Sequence, residues 1–493
     1  MANHASTQTP FAPGDLRQAA LFTAVFAVLY ALFSHLYAFT DLRLIAKYSH
    51  FFPGQADVYG AVLSAYPDEI RRLTYPPLTY WIFGLWIKAG SMLFGLFRDT
   101  DWSAAVRTVD GLSQSSISRT ELAYLKTLYL PFQLATAWFG ARLIRPGGSW
   151  RDACDLLAQP VVFFTCAAMG QMDILPTFFC VLAVYCFQRG PARRWMIGGF
   201  LALSGGVLTK TYPILLAVLF GALFIHHPRW RRNALAGLAV FALAVSGALA
   251  VVWGPGLTRS FLLFQHMNYS FLIGLSNYHL TYKGYLATSA LVFALLAWDR
   301  LKPAGRRVVG VVRIRWAWFQ HPARFPLLFP WVALLAMLWV FLGRYWMPQY
   351  VLWLMPWLAI APRAALHSGW NPQGAATILR RIPYLFSVLY FAAVPAVFSR
   401  TVDSSMYVHW KGGRTWGEAF PALGTYGFMG IHVLIVASSV LSLYILMRAG
   451  QPAEKPLGRP PTAEWTALWA HFLMAVLVLD LFMAWPILAG RWL

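Results

Sequence analysis

Apolar runs close to 20 residues long, separated by short polar stretches, recur along the chain from Leu21 to Leu488. A helix of that length crosses a hydrocarbon core of about 30 Å. In lipid the backbone must satisfy its own hydrogen bonds, so the pattern predicts an all-α, polytopic transmembrane bundle. Thirteen runs qualify as spans: 19–39, 122–141, 153–169, 174–188, 195–209, 212–226, 234–253, 285–298, 326–342, 350–362, 382–398, 426–447 and 467–488. The tail before the first run, Met1 to Gln18, has neither a basic n-region nor a small-residue cleavage site. That run is therefore expected to be a retained helix and not a cleaved signal.

One more apolar stretch, Tyr75 to Phe97, is ambiguous, and the basic residues arbitrate. If it does not cross and the N-terminus is cytoplasmic, the inside loops hold 23 Lys and Arg, against 8 in the outside loops after residue 122. The positive-inside bias favours that arrangement. The Pro76-Pro77 start and the many aromatics of this stretch suit a segment lying in the outer interface. Long outer loops follow at 40–121 and 254–284, with a shorter one at 399–425.

Composition agrees. The chain is 59% hydrophobic and 12% charged, about half the charged share of a soluble domain, which excludes a sizeable soluble domain. The net charge of +22 would suggest nucleic acid in a soluble protein. Here the inside loops account for it, so the partner is membrane lipid and no nucleic acid is expected. Cys154, Cys166, Cys180 and Cys186 lie in or beside two apolar runs without metal-type spacing, as packing residues do.

With only 18 acidic residues, each can be weighed. Asp41 stands at the outer mouth of the first helix, Asp173 in the outer turn Gly170-Gln171-Met172-Asp173, and Asp57, Asp68 and Glu69 share the first outer loop. Asp480, within the last span, is a functional candidate by depth or the partner of a neighbouring polar group. Lys126, Lys210 and Arg344 sit at the outer ends of spans, where the inside bias does not explain them. Each must snorkel to headgroups or meet an anion. A carboxylate with several cations at one face suits transfer from a lipid phosphate: the carboxylate takes a proton from an acceptor hydroxyl and the cations stabilise the departing phosphate. The same cations would also bind lipid headgroups. The polar aromatic loop holding His266, Asn268, Tyr269, Asn277, Tyr278, His279 and Tyr282 suits sugar stacking or an interfacial belt.

Four stretches, in order over about 315 residues, resemble the C-type superfamily of integral-membrane glycosyltransferases, and most of all bacterial polyprenyl-phosphate-mannose-dependent mannosyltransferases. They are Asp41 followed by Pro53-Gly54-Gln55 and Thr74-Tyr75-Pro76-Pro77-Leu78, then Gly170-Gln171-Met172-Asp173, then Lys210-Thr211-Tyr212-Pro213, and Pro348-Gln349-Tyr350-Val351-Leu352-Trp353 with Pro356. The resemblance covers residues 1–365, a transmembrane catalytic module with interfacial helices in its first outer loop. Residues 366–493, C-terminal transmembrane helices, share only the hydropathy.

The resemblance implies transfer of a sugar, mannose or another hexose, from a polyprenyl-phosphate carrier to a glycolipid or glycan hydroxyl. The transfer would take place at the periplasmic face of a bacterial inner membrane, by inverting single displacement. It implies no metal and no cofactor beyond the lipid-linked co-substrate. It makes Asp41 the catalytic base and Tyr75, Gln171, Asp173, Lys210, Gln349 and Tyr350 substrate-binding residues, to which the reading of the outer cations and of the polar aromatic loop adds Lys126, Arg344, His266 and His279. Asp57, in Asp57-Val58-Tyr59, is a second fit, but it lies 19 residues before Pro76 where Asp41 lies 35 before, and the longer spacing is closer to the family's. A flippase or transporter of lipid-linked sugars would instead need polar groups at mid-membrane. A lipid–polysaccharide ligase would use arginines and a histidine.

Overall fold

A computed structural model describes residues 13–36, 40–103, 107–109, 112–114, 117–145, 147–260, 325–343, 350–369, 374–398 and 421–447. The expected spans 285–298 and 467–488, and with them Asp480, lie outside the described residues, as do His266, His279, Arg344 and Gln349.

The described chain is helical apart from one short antiparallel hairpin, β1 (Arg107–Val109) with β2 (Leu112–Gln114). After α1 (Pro13–Leu36) the stretch expected as the first outer loop folds into α2 (Thr40–Ser49), α3 (Val58–Ala65), a 3-10 turn (Pro67–Arg72) and α4 (Pro77–Phe94). Next come α5 (Arg119–Thr127), α6 (Tyr129–Ile144), α7 (Trp150–Leu157), α8 (Pro160–Phe163) and a π-helical turn (Phe164–Ala168). They lead into α9 (Ile174–Gln188), α10 (Arg193–Thr209), α11 (Ile214–His226) and α12 (Arg231–Val251). Beyond residue 324 follow α13 (Phe329–Gly343), α14 (Val351–His367), α15 (Ala375–Leu379), α16 (Ile382–Phe398) and α17 (Pro421–Met447).

Local chemistry accounts for the boundaries. Asp57 caps α3, its carboxylate accepting from Gly60 N–H at 3.0 Å. Pro76 and Pro77 open α4, where a missing N–H costs nothing, and Gly95 closes it at φ 69. Ser118 and Glu121 form a reciprocal capping box on α5. The expected continuous span 153–169 is broken: Pro160 has no N–H to continue the ladder, so α7 ends at Leu157 and the chain restarts as α8 and the π turn.

Two of the described helices are long and apolar enough to cross a membrane, Leu16–His35 within α1 and Arg231–Val251. Both turn apolar side chains outward, among them Leu21, Val28 and Leu32 on one and Leu235, Leu243 and Val251 on the other. Meanwhile Lys126, Gln133, Gln159, Gln171 and Asp173 are buried inside. The stretch left ambiguous by hydropathy is the 18-residue helix α4, packed on α2, with Leu85, Met92, Leu93 and Phe94 exposed. Its Gly84 lets the two helices meet, since a Cβ there would fall 2.6 Å from Ser49 O. One large core unites the helices, and a second, built on Tyr48, Tyr59, Ile70, Tyr80 and Val252, fills the outer loop layer.

Candidate functional site

The ends of four helices meet where the two cores adjoin. Asp41 lies in the first turn of α2, where the helix dipole favours a carboxylate. Asp173 immediately precedes α9 and makes no capping bond of its own. The π turn and Gly170 deliver it there. Gly170 has φ 70, and a Cβ at that position would come within 2.9 Å of Leu42 and 3.0 Å of the Lys126 stem, so glycine answers both a backbone and a space requirement. Lys210 ends α10 in an extended conformation. Tyr350 and Trp353 sit at the start of α14, three residues apart on one helix face.

These ends converge on a small ionic centre. Lys210 Nζ donates to Asp173 Oδ1 at 2.6 Å, and the Trp353 indole N–H donates to the same oxygen at 2.6 Å. Asp173 is fully buried while the Lys210 side chain is 14% exposed, so the ammonium is the edge of the pair that remains reachable. Three rings surround it, with centroids at 5.3 Å (Tyr75), 4.9 Å (Tyr350) and 5.2 Å (Trp353), the geometry of cation–π attraction. Trp353 is itself stacked between Tyr212, at 4.0 Å, and Tyr350, at 4.1 Å. Pro356 leaves the carbonyl of Leu352 without its helical donor, and the Thr177 hydroxyl lies 3.1 Å from it, its one proton shared with Asp173 O at 2.7 Å, a contact between α14 and α9.

Asp41 faces this centre. Its Oδ2 accepts the Tyr75 hydroxyl at 3.0 Å, the one hydrogen bond to this carboxylate among the described residues. Burial raises its pKa above the ordinary aspartate value, and Lys210 and the Tyr75 bond oppose that rise. Burial, together with the carboxylates of Asp41 and Asp173, keeps the Tyr75 phenol protonated and a donor. Asp173 Oδ2 and both amide atoms of Gln171 are buried with no hydrogen-bond partner among the described residues. They remain able to bond a ligand or water.

The structure thus brings together five of the residues singled out in the sequence: Asp41, Tyr75, Asp173, Lys210 and Tyr350. Lys126 differs. It is fully buried and donates to Ser34 O at 2.8 Å and Ala168 O at 2.7 Å, so it neither snorkels nor reaches the ionic centre. It joins the end of α1 to the π turn. Asp57 is spent on its cap. Sequence reasoning gave no role to Trp353, Tyr212 or Thr177. The Tyr-x-x-Trp spacing was the available signal for Trp353, and nothing local marks the other two. Among the described residues, no group of three His, Cys, Asp or Glu side chains is placed to hold a metal ion.

Comparisons with protein-family models, with characterised proteins and with solved structures return no match.

Proposed function

We propose that this chain is a polytopic membrane glycosyltransferase that moves a sugar from a polyprenyl-phosphate carrier to a hydroxyl acceptor at the outer face of a bacterial inner membrane. The observation that carries the reading is the convergence just described. Segments that span the chain from Asp41 to Trp353, each named from its sequence motif, supply a half-buried carboxylate beside a carboxylate–ammonium–aromatic centre. General-base transfer from a lipid phosphate needs that combination.

Asp41 takes the acceptor's proton as the acceptor oxygen attacks the anomeric carbon. The bond from that carbon to the phosphate oxygen breaks, and the phosphate leaves with the electron pair. A direct attack of this kind inverts the anomeric configuration. Lys210, held in place by Asp173 and its three rings, faces the charge developing on the phosphate. Asp41 and Asp173 outweigh a single ammonium, so the phosphate needs another cation, and Arg344 has that role in this proposal. Asp173 Oδ2 and Gln171 remain to bond sugar hydroxyls, which accept and donate.

Thirteen spans with the N-terminus inside account for the 23-to-8 bias of basic residues. The outward apolar side chains of α1, α12, α16 and α17 meet lipid in this arrangement. α4 lies in the outer interface with Met92, Leu93 and Phe94 in the headgroup region. The test is incubation of the purified protein with a panel of radiolabelled polyprenyl-phosphate sugars and an acceptor lipid extract. Transfer that needs Asp41 and ignores nucleotide sugars supports the reading. Transfer from a soluble nucleotide sugar, or full activity in Asp41→Asn, sinks it.

A further inference from the structure

Tyr75 is held by its backbone as firmly as by its ring. Its carbonyl accepts the Tyr59 hydroxyl at 2.5 Å, and its N–H donates to the Tyr80 hydroxyl at 3.4 Å. The rings of Tyr59 and Tyr80 meet edge to face at 5.8 Å, and both are buried in the outer-layer core. Two residues upstream, Leu73 O takes the Ser260 hydroxyl at 2.5 Å. Downstream, the Thr79 hydroxyl bonds Thr209 O at 2.8 Å, next to Lys210. A segment with no regular structure between a 3-10 turn and α4 is thereby fixed from three elements. Among the described residues, the side-chain hydrogen bond it delivers in return is Tyr75 to Asp41.

We infer that Tyr59 is a positioning residue for the base. By holding the Tyr75 carbonyl it keeps the Tyr75 hydroxyl on Asp41 Oδ2, so that one carboxylate oxygen is occupied and the other is left for the acceptor hydroxyl. The inference rests on the reading of Asp41 as the base. The outer-layer core is then a rest against which the base is aimed, and its reach to the reaction runs through two hydroxyls. A hydrogen bond donated to a carboxylate favours the charged form, so its loss raises the pH at which the base ionises. The groups facing Asp41 are Lys210, Asp173 and the phenols of Tyr75, Tyr80 and Tyr129, and none of them is altered in Tyr59→Phe.

The experiment is a pH–rate profile of kcat/KM for the full-length protein in detergent or nanodiscs, with Asp41→Asn as the first control. Tyr75→Phe moves the acid limb up by about one pH unit. Tyr59→Phe moves it the same way by about half as much, with the donor KM changed less than about twofold. Added to Tyr75→Phe, Tyr59→Phe moves the limb no further, because both act through one bond. Tyr66→Phe removes a tyrosine bond of the same layer, to Trp102 O at 3.0 Å, and leaves the limb in place. If Tyr59→Phe fails to survive extraction, Ser260→Ala removes the neighbouring anchor of the same segment, on Leu73 O, without altering a group that faces Asp41, and is read on the same limb. An unmoved limb in Tyr59→Phe, an additive shift in the double variant, or an equal shift in Tyr66→Phe overturns the inference while Asp41→Asn stays inactive. An active Asp41→Asn overturns the glycosyltransferase reading itself.

Discussion

Lys210 and Asp173 stand 37 residues apart in the chain and 2.6 Å apart in space, an ion pair whose carboxylate is fully buried and whose ammonium touches the surface. The helices α9 and α10 run side by side between them, so the pair closes one end of a helical hairpin. Trp353 adds a second donor to the same carboxylate oxygen from a third helix.

Breaking such a pair on one side strands a buried charge, which typically costs about 3–5 kcal/mol. Lys210→Met is expected to lower thermal stability in detergent clearly. Asp173→Asn added to it should return part of the loss, since the amide oxygen still accepts from Trp353. Equal stability of the single and double variants would mean the charge is not what holds the hairpin end.

Asp41 and Asp57 separate cleanly by chemistry. Asp41→Asn keeps the shape and loses the base, so turnover should fall by about 10²–10⁴-fold in a protein that still folds. Asp57→Asn exchanges one good N-cap for another and should keep near-normal activity, whereas Asp57→Ala should cost about 0.5–2 kcal/mol of stability. The reverse result, with Asp57→Asn inactive and Asp41→Asn active, would move the base to Asp57.

The pH dependence has a definite sign. In the proposed mechanism Asp41 works ionised, and burial holds its pKa above the ordinary aspartate value, about 3.9. Activity should therefore fall as the pH drops through a point above that value. Lys210 lowers the pKa of Asp41, so Lys210→Met should move the acid limb further up. A limb at or below about 3.9, or one that moves down in Lys210→Met, contradicts the assignment.

Lys126 is expected to act on the fold and not on the donor. Its two backbone acceptors, Ser34 O and Ala168 O, would lose their donor in Lys126→Met, at about 1–3 kcal/mol for each buried group left unsatisfied. Residual enzyme should show an unchanged KM for the lipid-linked sugar. A large rise in that KM at unchanged stability would make Lys126 a ligand residue after all.

For topology, a reporter fused after Arg315 should read as cytoplasmic and one after Gly412 as periplasmic. The opposite pattern at both sites would overturn the thirteen-span arrangement and the side assigned to Asp173 and Lys210.

Hydropathy is a local property, and what it governs was legible in the chain. The helices at 174–188 and 382–398 begin and end where their apolar runs do, because a helix satisfies its own backbone within the run. The start of the helix within Tyr75 to Phe97 was legible too, from its two prolines. The residue types of the site could be named, since a carboxylate at a helix mouth or a lysine on the outer side is unusual enough to stand out.

Partnership is not local, and only the tertiary structure decided it. Polarity alone does not distinguish Lys126 from Lys210, both basic residues at a helix end, although only Lys210 opens a Lys-x-x-Pro turn. Packing buries one against the carbonyls of α1 and the π turn and pairs the other with Asp173. Nor does the neighbourhood of Tyr59 point to Tyr75, or that of Trp353 to a carboxylate 180 residues away. A span broken at Pro160 looked continuous because its apolar side chains are, whereas the break comes from one missing N–H. Side-chain polarity sets which segments are withdrawn from water. Which buried donor meets which buried acceptor depends on how helices far apart in the chain come to lie together.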